Sequence, residues 1–250
     1  MLRYFLGLAL CCIICMPTTA HSEKWFSIGV EGIDYMPYFN GKGSEYSGFA
    51  RELLDAFAKR HDYQFQYTAL PVRRLYQEFI ETRQLDFKFP DNPHWRVDIK
   101  KRTNLRYSSP VCDFVDGILV NKKDLGKGIT HLKTLGIIFG FDPSRHLEGL
   151  DENQVKLAPN TNIQSMARMT LSERINGFYA NIAVANAQLK EINAQDDILF
   201  DKSLPYRKGS YHLSTIKHPE VLKQFNDFLQ QEKQLVDSLK EQYGITDVSD

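Results

Sequence analysis

Tyr107-Ser108-Ser109-Pro110-Val111-Cys112-Asp113-Phe114-Val115-Asp116-Gly117-Ile118-Leu119-Val120-Asn121-Lys122 is the stretch on which the fold turns. Its Val, Ile and Phe content marks an extended segment that runs past Pro110 toward Asn121-Lys122-Lys123, and it reads as a crossover between two lobes. On its N-terminal side, strand-like and helix-like stretches alternate. Phe26 to Val30 is a first strand, and Ser47 is expected to cap a helix in which Phe49, Leu53, Leu54, Phe57 and Ala58 recur at helical spacing. Phe65 to Leu70 is the next strand. Pro71 opens a helix with Leu75, Phe79 and Ile80 as its buried stripe, and Leu85 to Phe89 is a third strand.

On its C-terminal side the alternation begins again. Strands are expected at Gly136 to Phe139, Val155 to Ala158 and Ile175 to Tyr179, with helices at Ile163 to Arg174 and Ile182 to Leu189. Gly209 to Ser214 then reads as a strand returning to the first lobe, followed by amphipathic helices around Pro219 to Gln230 and Gln234 to Tyr243. This order predicts an α/β protein of two lobes with a hinge and a cleft between them. The expected division is residues 21–111 plus 205–250 for lobe 1 and 112–204 for lobe 2.

The first twenty residues predict export. Arg3 gives a basic start, Tyr4 to Met16 an apolar run, and Pro17-Thr18-Thr19-Ala20 a turn with small residues where a signal peptidase would cut. The run falls short of the roughly 20 apolar residues that a bilayer span requires. Cys11, Cys12 and Cys15 would leave with the leader, so Cys112 would remain alone and an internal disulfide is excluded. Leu10 and Ile14, which precede Cys11 and Cys15, are not the small residues a lipoprotein signal needs. The expected compartment is therefore the periplasm, without a lipid anchor.

Charge narrows the partners. The chain carries 31 Lys and Arg against 31 Asp and Glu, and loss of Arg3 would leave the mature protein near −1. With no basic excess, nucleic-acid binding lacks its main driving force. The sequence has no G-x-x-x-x-G-K-[ST] phosphate loop, no H-E-x-x-H and no G-x-S-x-G elbow, and Gly41-Lys42-Gly43 lacks the third glycine of a dinucleotide fingerprint. The histidines are scattered without ligand spacing, so neither a metal nor a cofactor is expected.

The order of segments resembles the family 3 extracellular solute-binding proteins, the amino-acid-type periplasmic binding proteins. The resemblance is carried by Asp34-Tyr35-Met36-Pro37-Tyr38-Phe39, Gly48-Phe49-Ala50-Arg51-Glu52-Leu53-Leu54, Leu85-Asp86-Phe87, Tyr107-Ser108-Ser109-Pro110, Arg174-Ile175-Asn176-Gly177-Phe178-Tyr179 and Lys217-His218-Pro219. It implies the two-lobed type II binding-protein fold, a small polar solute held between the lobes, and delivery to an inner-membrane ABC permease or a membrane sensor. A monomer without catalytic activity is the expectation.

The resemblance also implies a set of contacts. Tyr35, beside Pro37 and Tyr38, falls where the family sets a ring over the ligand, and a ring offers apolar area and a face attractive to ammonium. Asp91, Asn92, Trp95 and Arg96 follow the third strand, where the family places polar contacts and an arginine for the ligand carboxylate. Arg73, with Arg74 beside it, is the alternative anion clamp, and Tyr76 completes the set in lobe 1. In lobe 2, Phe141 and Asp142 stand in the turn that usually offers hydroxyls to a carboxylate, and Asn181 where an aspartate usually meets the ligand ammonium. His94, paired with Asp91, is the candidate acid or base of an alternative reading, a periplasmic lyase or dehydratase on the same fold.

Overall fold

The computed structural model describes residues 23–139 and 154–245. The expected leader, Phe141 and Asp142 lie outside the described residues. The chain starts with β1 (Lys24–Glu31), β2 (Asp34–Tyr35), β3 (Phe39–Asn40), α1 (Phe49–Arg60), β4 (Tyr63–Leu70), α2 (Val72–Tyr76) and β5 (Phe87–Asp91). Then follow α3 (Val97–Lys100), β6 (Arg106–Tyr107), β7 (Cys112–Asn121), β8 (Thr134–Ile138), β9 (Lys156–Asn160), α4 (Ile163–Leu171) and β10 (Gly177–Asn181). The last elements are α5 (Ile182–Glu191), β11 (Ile198–Phe200), β12 (Arg207–Thr215), α6 (Pro219–Gln231) and α7 (Lys233–Gln242).

The strands run in the order β4-β1-β5-β12-β7-β10-β8-β9. Two parallel groups, β4-β1-β5 and β10-β8-β9, are joined through the antiparallel strands β12 and β7. β12 serves both groups. Its Arg207 to Tyr211 half pairs with β7, and its His212 to Thr215 half pairs with β5 across a register shift between His212 and Ser214. A strand that changes partners midway joins the two parallel groups, and the irregularity marks the change.

The core of the first group is aromatic. On α1, Phe57 is fully buried and its ring centroid lies 5.1 Å from Phe225 and 5.5 Å from Phe228 of α6, and 6.0 Å from Phe65 of β4. Helix spacing puts Phe49, Leu53, Leu54 and Phe57 on that face, and truncating one such phenylalanine to alanine typically costs about 3–5 kcal/mol. β4, at the sheet edge, alternates between half-buried and exposed residues, whereas β5 and β10 are buried along their whole length. That contrast is the signature of an edge against central strands covered on both faces.

Three boundaries differ from expectation for local reasons. Ser47 does not cap α1; the cap is Gly48, with φ 101°, while the Ser47 backbone exchanges hydrogen bonds with Asn40. Gly48 is required there, because a Cβ would lie 2.9 Å from the Cα of Phe39 and 3.1 Å from the carbonyl of Tyr38. The helix after Pro71 widens into a π-helical turn over Gln77–Glu81. β5 begins and ends two residues later than expected, because Asp91 pairs with His212 of β12.

Candidate functional site

β5 is parallel to β1, and ligands of open α/β sheets collect at the C-terminal ends of such strands. At that end lies a knot of buried charge. Lys88 and Asp91 are fully buried, and Glu31, Asn92 and Lys100 are nearly so. The Lys100 ammonium donates to the Asp91 carboxylate at 2.6 Å and to the Asn92 carbonyl at 2.8 Å. Lys88 donates to the Pro90 carbonyl and stands 3.8 Å from both Glu31 and Asp91. The Ser214 hydroxyl donates to the other Asp91 oxygen at 2.7 Å, which ties the knot to β12.

Tyr76 lies among these cations. Lys88, Lys100 and Arg96 approach its ring centroid to 4.8, 5.5 and 5.6 Å, and Lys88 also sits 5.6 Å from the Trp95 centroid. Ring faces stabilise cations at these distances, so Tyr76 gathers three cations, each of which also has a carboxylate near it: Glu31 and Asp91 for Lys88, Asp91 for Lys100 and Asp98 for Arg96. Burial lowers the Lys100 pKa to about 8, Asp91 opposes that shift, and Lys88 and Arg96 add to it. Burial likewise raises the Glu31 carboxyl, with Lys88 pulling the other way.

The second part of the site lies on the strands between the groups. Tyr211 of β12 stacks on Phe114 of β7 at 4.7 Å and takes the edge of Tyr38 at 5.0 Å and of Trp95 at 5.9 Å. Tyr35 stacks on Phe39 at 5.3 Å, and hydrogen bonding links it to Tyr211. The Tyr38 hydroxyl donates to the Asp113 carbonyl at 3.3 Å, and the Gln188 amide of α5 donates to the Asp34 carbonyl, also at 3.3 Å. Contacts from the β2 loop thus reach both β7 and α5.

Asn181 ends β10 and caps α5, its Oδ1 accepting from the Val184 N–H at 3.1 Å. Its Nδ2 donates to Asp116 at 3.2 Å and to the Tyr211 hydroxyl at 3.3 Å. Burial raises the Asp116 carboxyl to about 7, against the pull of the Asn181 hydrogen bond and of Arg207. Asp116 lies deep between strands but keeps some contact with solvent.

Of the residues singled out from sequence, Tyr35, Tyr38, Tyr76, Asp91, Asn92, Trp95 and Asn181 fall in these two connected parts. Asn92 is pinned, its Nδ2 donating to the Ser210 carbonyl at 2.9 Å and its Oδ1 accepting from the His94 N–H at 2.9 Å. Arg96 sits at the rim, exposed, with φ 46° and an ion pair to Asp98 at 3.5 Å. Arg73 is exposed on α2, and Arg74 pairs with Glu78 at 2.7 Å. The His94 side chain is exposed, while Asp91 is committed to Lys100 and Ser214. Glu31, Lys88, Lys100, Asp116 and Tyr211 were not anticipated. The available signal was charge inside apolar runs, Lys88 between Phe87 and Phe89 and Asp116 in Val115-Asp116-Gly117-Ile118.

A separate open groove of about 480 Å³, lined by Arg51, Asp55, Lys59 and Phe65 among others, lies between α1 and β4. It lies on different elements from the strand-end cluster. Among the described residues no group of three or more His, Cys, Asp and Glu side chains is arranged to hold a metal ion, and no helix is long and apolar enough to cross a membrane.

No protein-family model matches this chain, and no curated protein matches it in sequence. Solved structures do match in fold. An ancestral arginine-binding protein bound to arginine is 17% identical with a TM-score of 0.68, covering 89% of this chain and 99% of its own. An arginine transport-system periplasmic binding protein from Legionella pneumophila is 16% identical with a TM-score of 0.63, covering 88% of this chain and 100% of its own. An ancestral amino-acid-binding protein described as a precursor of cyclohexadienyl dehydratase is 18% identical with a TM-score of 0.65, over 88% and 94%. The chain has the α/β, two-lobed fold of the periplasmic binding proteins.

Proposed function

We propose that this chain is a periplasmic solute-binding protein that closes two lobes on a small amino-acid-like, carboxylate-bearing solute and presents it to an ABC importer. The observation that carries this reading is the gathering of Lys88, Lys100 and Arg96 on one aromatic ring, Tyr76, at the C-terminal end of β5. Such a wall suits a carboxylate, and Arg96 at its rim can exchange Asp98 for a ligand with little rearrangement. Solved structures of the same fold are described as amino-acid and arginine binders, which supports the same solute class.

In this reading residues 21–111 with 205–250 form lobe 1 and residues 112–204 form lobe 2, and the connections through β7 and β12 are the hinge. A solute touching both lobes stabilises the closed arrangement by its differential affinity for it. Export follows cleavage after Ala20. A membrane sensor in place of an importer would use the same closed state.

A lyase is the second reading, favoured by the neighbour described as a precursor of cyclohexadienyl dehydratase. A thermal-shift screen of amino acids, organic acids, amines and short peptides separates the two when each stabilising solute is recovered and identified. Unchanged solute supports binding; turnover that disappears in His94→Ala supports the lyase.

A further inference from the structure

We propose that Asp116, held by Asn181, receives the cationic group of the solute, so that the ligand is a zwitterion or cation spanning from Asp116 to the lysine and arginine wall of lobe 1. The inference rests on the solute-binding reading and names the second pole of that site.

Asn181 stands where the resemblance leads one to seek the ammonium partner, but its amide is already spent. Its oxygen caps α5 and its nitrogen bonds Asp116 and Tyr211. It also carries no charge. Directly opposite on the neighbouring strand is Asp116, in register with Asn181 of β10 on one side and Arg207 of β12 on the other. A carboxylate can accept about four hydrogen bonds, whereas among the described residues Asp116 receives one, from Asn181. The residue as a whole is half-buried.

The surroundings suit an ammonium. From β10 the groups acting on Asp116 are Asn181 and Tyr179, from β12 Arg207 and Tyr211, and from the β2 loop Tyr35. The hydroxyls of these three tyrosines can accept hydrogen bonds, and Arg207 is the one cation among these groups. A chain of contacts then leads to the opposite pole: Asp116 to Asn181, Asn181 to Tyr211, Tyr211 to Trp95, and Trp95 to Lys88. Negative and positive ends thus flank one aromatic bridge, the layout a ligand with separated ammonium and carboxylate requires. With its carboxyl raised to about 7, chiefly by burial, Asp116 is partly protonated at neutral pH, and an arriving ammonium displaces that proton.

The test is calorimetry at pH 7 in buffers of different ionisation enthalpy, with L-arginine, L-glutamine, agmatine and glutarate as probes. The expected result is that an amine-bearing probe binds with release of a fraction of a proton, and that the affinity of agmatine, which has no carboxylate to feel the loss of charge on Lys100 near pH 8, rises severalfold from pH 6 to pH 8. Asp116→Asn should abolish the proton release and weaken that probe at least tenfold. Should Asp116→Asn fold poorly, proton release by the wild-type protein decides alone. Equal binding by the variant, binding of an amine without proton release, or binding of glutarate alone overturns the assignment to Asp116 and leaves the solute-binding reading standing. Failure of all four probes, together with the whole thermal-shift screen, overturns that reading and this inference with it.

Discussion

Lys100 places its ammonium 2.6 Å from the carboxylate of Asp91, and both groups are buried at the end of β5. The pair joins the last residue of α3 to the last residue of β5, nine positions apart in sequence. Asp91 also stands 3.8 Å from Lys88. One carboxylate therefore steadies two buried ammonium groups.

Asp91→Asn leaves both lysines without that charge, and breaking a buried pair from one side costs about 3–5 kcal/mol. Urea unfolding at pH 7 should show a loss of that size. Asp91→Asn combined with Lys100→Met should recover part of it, because the orphaned ammonium is gone. A single-variant loss below about 1 kcal/mol, the usual worth of an exposed pair, contradicts the buried arrangement.

Asp86 fastens β1 to the turn before α6. Its oxygens accept from the Ser27 N–H at 2.8 Å and the Ser27 hydroxyl at 2.9 Å, and from Lys217 at 2.9 Å, with the His218 ring at 3.2 Å. Burial works to raise its pKa, but these bonds prevail and hold it at about 2. A depressed carboxylate contributes stability above its unfolded pKa near 4 and loses it as pH falls through about 2. Asp86→Asn should thus cost about 1–2 kcal/mol at pH 7, allowing for its 21% exposed side chain, and the gap from wild type should close between pH 4 and 2. Parallel denaturation curves across that range check the sign.

The two arginines read as rival clamps should separate cleanly. Arg96 lies 5.6 Å from the Tyr76 ring centroid, whereas Arg73 is exposed on α2. Arg96→Ala should weaken the best-binding carboxylate probe tenfold or more, and Arg73→Ala should stay within twofold. Calorimetry on both variants reads the difference; the opposite ranking assigns the clamp to α2.

Much of the scaffold was legible because burial follows period. Phe49, Leu53, Leu54 and Phe57 announce α1, and the Val- and Ile-rich run through Cys112 to Asn121 announces β7. The change of partner along β12 was legible only as order, since no residue in Arg207 to Thr215 states where β7 ends and β5 begins. Ser47 misleads because a good capping side chain is overruled by a backbone pairing with Asn40, which hands the cap to Gly48. In the site, rings and polar loop residues stand out by type. Lys88 and Lys100 do not, because a lone lysine reads as solvated until its carboxylate is located in three dimensions. Asp116 and Asn181 are 65 residues apart, and only the register of β7 with β10 joins them.

The central claim is that the two lobes capture a small solute and return it unchanged. Equilibrium dialysis of the mature protein against a defined mixture of amino acids, amines and small organic acids, followed by mass spectrometry of both compartments, tests it most directly. The account predicts that the protein compartment retains one solute in one-to-one ratio with the chain, a zwitterion or amine, with its mass unaltered and total amount conserved. Enrichment of no component, or loss of one with the appearance of a product, would contradict it.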